Sequence, residues 1–264
     1  MYGLITGSGF YQLPGLADEA TTDHGTPYGT VQLTTGRWRG HDVVFLPRHG
    51  RGHSIPPHAI NYRANVWALA DAGASAIVAT AVSGGIGEAM TPGALVLISD
   101  FLDFTSGRET TFFDGASEPG FGAGGAADPE SIGVSHTDMT TPYDPTMREA
   151  LRHAAAAEDI DVVDGGVYCT TNGPRFETAA EITMMARLGG DLVGMTGYPE
   201  VALAAEAGVP YASVGVISNR AAGLAAADLS IDEIMAVIDG ASDHLYRLIG
   251  GALDHHSRTT TGQR

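Results

Sequence analysis

The most constraining feature of the chain is a succession of short apolar runs, each breaking into small or polar residues. Residues 1–6 end in Gly7-Ser8-Gly9, 41–46 in Pro47-Arg48-His49-Gly50, and 76–82 in Ser83-Gly84-Gly85. Residues 94–99, 162–170, 192–195 and 211–217 are further strand-like runs. Helical segments lie between them. In 59–72, Ile60, Ala64, Trp67 and Ala68 share helical spacing and Gly73 follows as a stop signal. Asp144 as N-cap and Pro145 at the first helical position open a helix over 144–158. Helices are also expected at 176–188, 199–207 and 230–253. Unbroken apolar strands interleaved with helices indicate an α/β fold with a mostly parallel sheet buried on both faces.

The 264 residues, 44% of them hydrophobic, supply enough apolar material for a sizeable core. No linker or internal repeat divides them, so 1–253 reads as one domain. The stretch 115–133 (GASEPGFGAGGAADPESIG) predicts a flexible surface loop, and the tail 254–264, lacking an apolar period, is expected to be disordered. No apolar run reaches the roughly 18–20 residues of a membrane span. Residues 1–10 lack the basic and long apolar regions of a secretory signal, so the expected compartment is the cytoplasm. The lone Cys169 excludes an intramolecular disulfide framework.

Charge excludes more. Acidic residues number 31 against 14 basic ones, all arginine, for a net charge of -17. That balance argues against nucleic acid or anionic membranes as partners. It reads either as solubility and compositional bias or as a salt-adapted surface whose self-repulsion counterions relieve. An anionic ligand would have to be met by locally focused arginine.

In open α/β sheets, ligands bind beyond the carboxyl ends of strands. Four expected strand ends carry Gly7-Ser8-Gly9, Arg48-His49, Ser83-Gly84 and Ser218-Asn219. A hydroxyl, turn amides, a guanidinium and an imidazole suit an oxyanion such as phosphate. Taken singly, each has a plain structural reading as a tight turn, surface ion pair or loop residue. A dinucleotide fingerprint fails at Gln12, where the third glycine should stand. No GxSxG elbow surrounds any serine. His49, His53 and His58 lack a nearby carboxylate in a Gly/Pro-rich loop, so no metal is expected.

The strings GSGFY near the start, LPRHGRGH at 46–53, NYRANVWAL at 61–69, TSGRETTFFDG at 105–115, GPRFETAAEI at 173–182 and MTGYPEVALAAEAGV at 195–209 occur in one family's order. Over nearly all of 1–253 the chain resembles the trimeric nucleoside phosphorylases, which include methylthioadenosine, methylthioinosine and 6-oxopurine nucleoside phosphorylases. The resemblance implies a single α/β domain with a central mixed sheet flanked by helices, in a homotrimer, with a hexamer as the alternative. It implies phosphate-dependent cleavage of a nucleoside to free base and ribose 1-phosphate, with phosphate as co-substrate and no cofactor. By the same resemblance, Ser8, Arg48, His49, the backbone around Val82, and Thr196 hold phosphate. Ser83, Gly84, Phe176, Glu177, Gly194, Met195 and Asn219 form the purine pocket. Met195, His53, Ile231 and Met235 face the ribose and its 5′ end, with His53 coming from its own loop or an adjacent subunit. Ala81 departs from the Thr or Asn of relatives, with Thr80 as a candidate substitute, and 115–133 is longer than expected.

Base preference is legible in two residues. Methylthioadenosine enzymes place paired aspartates where this chain has Asn219 and Ala221. The Asn219 amide can donate to O6 of a purine and accept from N7–H, while Glu177 can accept the N1–H that 6-oxopurines carry and adenine lacks. Their structural alternatives are a helix-start acid for Glu177 and a turn residue for Asn219. Ile231 and Met235 offer a 5′-methylthio group an apolar wall, where enzymes for ordinary nucleosides often carry a His. The combination is most similar to methylthioinosine phosphorylase, with inosine and guanosine also expected as substrates. Glu177, Asn219 and His49 are the expected catalytic residues. The competing expectations are a methylthioadenosine phosphorylase and a nucleosidase using water.

Overall fold

The computed structural model describes residues 1–50, 52–113, 120–121, 127–128, 136–225 and 230–261. Its strands are β1 (Tyr2–Thr6), β2 (Ala17–Thr26), β3 (Gly29–Trp38), β4 (His41–Pro47), β5 (Ile77–Gly85), β6 (Leu95–Leu97), β7 (Asp100–Asp103), β8 (Gly120–Phe121), β9 (Ala127–Asp128), β10 (Val162–Asp164), β11 (Val167–Thr170), β12 (Leu192–Gly194) and β13 (Tyr211–Arg220). The helices are α1 (Tyr62–Asp71), α2 (Pro145–Ala157), α3 (Ala179–Arg187), α4 (Gly197–Glu206) and α5 (Ile231–Thr261).

One mixed sheet runs in the order β10-β6-β13-β5-β1-β4-β3-β2, and β12, β11 and β7 branch from the end of β5. The centre, β13-β5-β1-β4, is parallel throughout. Its strands are apolar on both faces because both are covered. Ile5, Val44, Leu46, Ile77 and Ala79 join Trp67, Leu69, Val201 and Leu203 of α1 and α4. Leu4, Val43, Phe45 and Val78 join Leu151, Leu245, Leu248 and Leu253 of α2 and α5. The α/β fold with a central mixed sheet is as expected. No described helix is long and apolar enough to cross a membrane.

Several local expectations are corrected. The β2–β3 hairpin occupies a stretch for which the sequence offered no strand signal; β2 is mostly exposed along its length, so no buried face imposes alternation. The run at 162–170 divides at Gly165-Gly166, and β10 and β11 pair with different strands. Asp144 does cap α2, its Oδ1 accepting from Met147 N–H at 2.7 Å. The α3 helix starts at Ala179 because Thr178 and Glu181 form a reciprocal capping box, which leaves Phe176 and Glu177 outside the helix. The tail is not frayed where it is described: α5 continues to Thr261, with His256 buried and Asp254 paired to His41. The loop expected at 115–133 lies outside the described residues, apart from the short β8–β9 ladder.

Candidate active site

The carboxyl ends of β1, β4, β5 and β13 open on one cavity of about 440 Å³, walled by the 174–177 loop and the start of α5. Every site residue expected from the sequence lines it: Ser8, Arg48, His49, His53, Val82, Ser83, Gly84, Phe176, Glu177, Gly194, Met195, Thr196, Asn219, Ile231 and Met235. His58 instead borders a second cavity beside Tyr28 and Arg63, so the three histidines do not converge. Among the described residues no His, Cys, Asp and Glu cluster is arranged to hold a metal.

Among the cavity's lining residues are Ser8, in the turn after β1, Arg48 and His49, directly after β4, and Thr196, at the start of α4. Arg48 is not a free surface cation. Only 2% exposed, it donates from Nε to Glu200 Oε1 at 2.6 Å, from Nη2 to Glu200 Oε2 at 3.0 Å, and from Nη1 to the Thr80 carbonyl at 2.7 Å. Burial alone would lower the Arg48 pKa, and the Glu200 carboxylate more than reverses this. Three of its five N–H groups are thereby used, leaving one on each terminal nitrogen. Gly7 makes the arrangement feasible, since a Cβ there would sit 2.7 Å from Arg48 Nη1. Thr80 does not compensate for Ala81 inside the cavity. Its hydroxyl accepts from Gly7 N–H at 3.4 Å, and it is not a lining residue.

His49 Nδ1 lies 2.9 Å from the Ile55 carbonyl, which can only accept, so Nδ1 carries the proton and Nε2 is the acceptor. Burial, reinforced by Arg48 and His53 and opposed by the Ile55 bond, pulls the His49 pKa down to about 4. His49 is therefore neutral at physiological pH. Thr196 makes no side-chain cap to α4, so its hydroxyl is not spent on that helix's amides.

Glu177 and Asn219 line the same cavity. Glu181 fills the helix-start role in α3, so Glu177 is not the capping acid; its Oε1 accepts from the Thr171 hydroxyl at 2.6 Å. Asn219 lies on β13 rather than in a turn, after a bulge between Ile217 and Asn219 that adds a residue opposite β5. Such a bulge re-aims the side chains around it. Asn219 Nδ2 donates to the Arg220 carbonyl at 2.8 Å, and Oδ1 accepts from the Ser218 hydroxyl at 2.7 Å. The Arg220 carbonyl cannot donate, so it fixes which side of the amide is nitrogen. One amide hydrogen and one oxygen lone pair remain for a ligand.

His53 lines the cavity of its own chain. Its ring stacks on His49 at 4.5 Å, and its Nδ1 lies 2.5 Å from the Tyr11 hydroxyl. Ile231, Ile234, Met235 and Ile238 also line the cavity, at helical spacing along α5. Sequence reasoning missed Ile234, Ile238, Tyr11, Glu200 and Arg108, and it named Ser218 only as a strand end. The α5 period could have found the first two. Arg108 lies inside the string at 105–115 and donates to the Met195 carbonyl at 2.7 Å and the Thr171 carbonyl at 3.0 Å, tying together loops behind the cavity.

The family model described as the phosphorylase superfamily matches residues 1–254. The chain is 46% identical to a probable S-methyl-5'-thioinosine phosphorylase of Methanopyrus kandleri over 90% of this chain and 85% of that protein. It is 42% identical to a 6-oxopurine nucleoside phosphorylase of Pyrococcus furiosus, over 91% and 87%. Among solved structures it is similar to methylthioadenosine phosphorylase from Schistosoma mansoni in complex with adenine, with a TM-score of 0.86 and 32% identity, covering 97% of this chain and 91% of that one. With a match over almost its whole length and relatives at 42% and 46% identity, the chain belongs to the phosphorylase superfamily.

Proposed function

We propose that this protein cleaves the N-glycosidic bond of 6-oxopurine nucleosides with inorganic phosphate, giving the free base and a ribose 1-phosphate. 5′-Methylthioinosine is the preferred substrate, and inosine and guanosine are also accepted. The observation that carries the reading is the pairing of Glu177 with the oriented Asn219 amide in the cavity that Arg48 and His49 also line. A 6-oxopurine offers O6 to the remaining amide hydrogen, N7 to the amide oxygen once protonated, and N1–H to Glu177. Adenine would set its N1 lone pair against the carboxylate, a mismatch typically costing ~1–3 kcal/mol.

Phosphate lies against Ser8, Thr196, the backbone around Val82, and the spare N–H groups of Arg48. Neutral His49 takes a P–OH hydrogen at Nε2, which matches a protonated phosphate rather than a bare trianion. A phosphate oxygen attacks C1′ as the N9–C1′ bond lengthens, and the electron pair of that bond goes to the purine. The anion both supplies the nucleophile and stabilises the positive charge growing on the sugar. The Asn219 Nδ2–H stabilises the charge that develops on O6, N7 takes up a proton from solvent and then donates to the Asn219 oxygen, and Glu177 orients the base by accepting its N1–H. No covalent enzyme intermediate is needed.

The apolar α5 wall favours a methylthio group, whose burial is worth ~0.8 kcal/mol per CH2 equivalent. The Tyr11–His53 pair offers a 5′-hydroxyl a polar partner, which supports activity on inosine and guanosine as well. The same reading carries a homotrimer in the cytoplasm, a hexamer being the alternative that light scattering separates. Base release from methylthioinosine, inosine, guanosine and methylthioadenosine, each with and without phosphate, tests the function. The expected result is phosphate-dependent cleavage led by methylthioinosine. Inosine in the lead would overturn the 5′ argument alone, and methylthioadenosine in the lead would overturn the base argument. Release without phosphate would make the protein a nucleosidase.

A further inference from the structure

The cavity's cation already has a partner. Glu200, on α4, is 0% exposed and accepts three hydrogen bonds: two from Arg48 and one from the Tyr211 hydroxyl at 3.0 Å. Burying a carboxylate against a guanidinium is not by itself a way to gain stability, because desolvating both charges offsets most of their attraction. What the pair supplies is geometry. Arg is a long side chain with several rotatable bonds, and here its fork is held by Glu200 along one edge and by the Thr80 carbonyl at Nη1. A pair serving only the core would be closed on every side, whereas Arg48 opens on the cavity.

We propose that Glu200 is a positioning residue for the phosphate co-substrate: it fixes the Arg48 guanidinium so that its two uncommitted N–H groups face the anion. The inference rests on the phosphorolysis reading above. Tyr211 extends the device by one step, holding the carboxylate from the far side. The opposite charges of Arg48 and Glu200 largely cancel and His49 is neutral, so the anion site carries little net positive charge. Phosphate is then held by aimed hydrogen bonds rather than by bulk attraction, and misaiming Arg48 costs phosphate specifically.

Steady-state phosphorolysis by Glu200→Gln tests this, with phosphate varied at saturating nucleoside and nucleoside varied at saturating phosphate. The amide would set an N–H donor against a guanidinium N–H, breaking the two-bond fork while keeping the volume. The expected result is a phosphate KM raised about tenfold or more, with the nucleoside KM within roughly twofold of wild type. A folded variant with the wild-type phosphate KM overturns the proposal, and so does an equal rise in both KM values. Tyr211→Phe removes one bond to Glu200 without touching the ion pair, and serves if the first variant does not fold. It should raise the phosphate KM about threefold and leave the nucleoside KM alone; an unchanged phosphate KM overturns the proposal. Wild-type cleavage without any phosphate requirement would instead sink the functional reading on which this rests.

Discussion

Asn219 concentrates the base argument, because its amide is oriented by a neighbour that cannot change role. The Arg220 carbonyl takes one Nδ2 hydrogen, so the oxygen and the second hydrogen are presented in a fixed sense. Replacing it by Asp sets an acceptor against that carbonyl unless the carboxyl is protonated. A protonated Asp keeps the bond to Arg220 and turns a lone pair of that same oxygen toward a 6-amino group, while the donor to O6 is gone. Asn219→Asp is therefore expected to lower the inosine-to-adenosine ratio of kcat/KM by about tenfold or more, the size of one to two lost or mismatched polar contacts. Kinetics on both nucleosides would show it, and an unchanged ratio would remove Asn219 from the base site. The types and order of these residues were legible in the sequence because Ser8, Arg48, His49, Glu177 and Asn219 sit at expected strand ends or in strings that match the family. Glu200 was not legible. It lies in the MTGYPEVALAAEAGV string like any helix-start acid, and only its burial against Arg48 separates it from a solvated one.

At the scale of elements, the central strands were readable because both faces are buried and the apolar runs are unbroken. The β2–β3 hairpin was not, since ADEATTDHGT is mostly exposed and only Val31, Leu33, Thr34 and Trp38 of β3 turn inward. The last turns of α5 failed for the same reason in reverse. The segment after Leu253 is polar, yet its polar groups have partners in the fold. His256 Nδ1 lies 3.0 Å from the buried Tyr2 hydroxyl, and Asp254 lies 2.7 Å from His41 Nε2. Burial raises the Tyr2 pKa with help from Asp254, so the phenol stays neutral and hydrogen-bonded. Ending the chain at Leu253 strands Tyr2 and His41 at once. The lost buried Tyr2–His256 bond is worth about 1 kcal/mol and the hydroxyl it orphans about 1–3 kcal/mol, while the half-exposed Asp254–His41 contact contributes less. The truncated protein should melt at least several degrees lower, at about 2–4 °C per kcal/mol for a chain of this size. Tyr2→Phe should recover only part of that loss when compared by calorimetry. A truncated chain melting with the full-length one would make the last turns of α5 dispensable.

The whole molecule is dominated by its charge, and the arginines show how the excess acid is distributed. Arg148 and Arg152 meet Asp164, Arg175 meets Glu181, Arg247 meets Glu158 and Arg48 meets Glu200. Among the described residues seven of the fourteen arginines pair with acids, so most of the 31 acidic side chains behind the net charge of -17 have no arginine to answer them. Salt acts on both terms. Screening weakens exposed pairs, each worth ~0–1 kcal/mol, and it weakens the long-range repulsion among unpaired carboxylates. Between about 10 mM and 1 M salt the Debye length falls from ~30 to ~3 Å, less than the spacing of most surface charges. With 31 acids against 14 arginines the repulsive term is the larger, so the melting temperature should rise across that range by several degrees. The titration must use potassium chloride. Sulfate stabilises most proteins by exclusion from their surface, and phosphate would add the stabilisation of a bound ligand. A melting temperature that stays flat or falls in chloride would mean that the paired arginines outweigh the surplus acids, and the acidic surface would then be a matter of solubility alone.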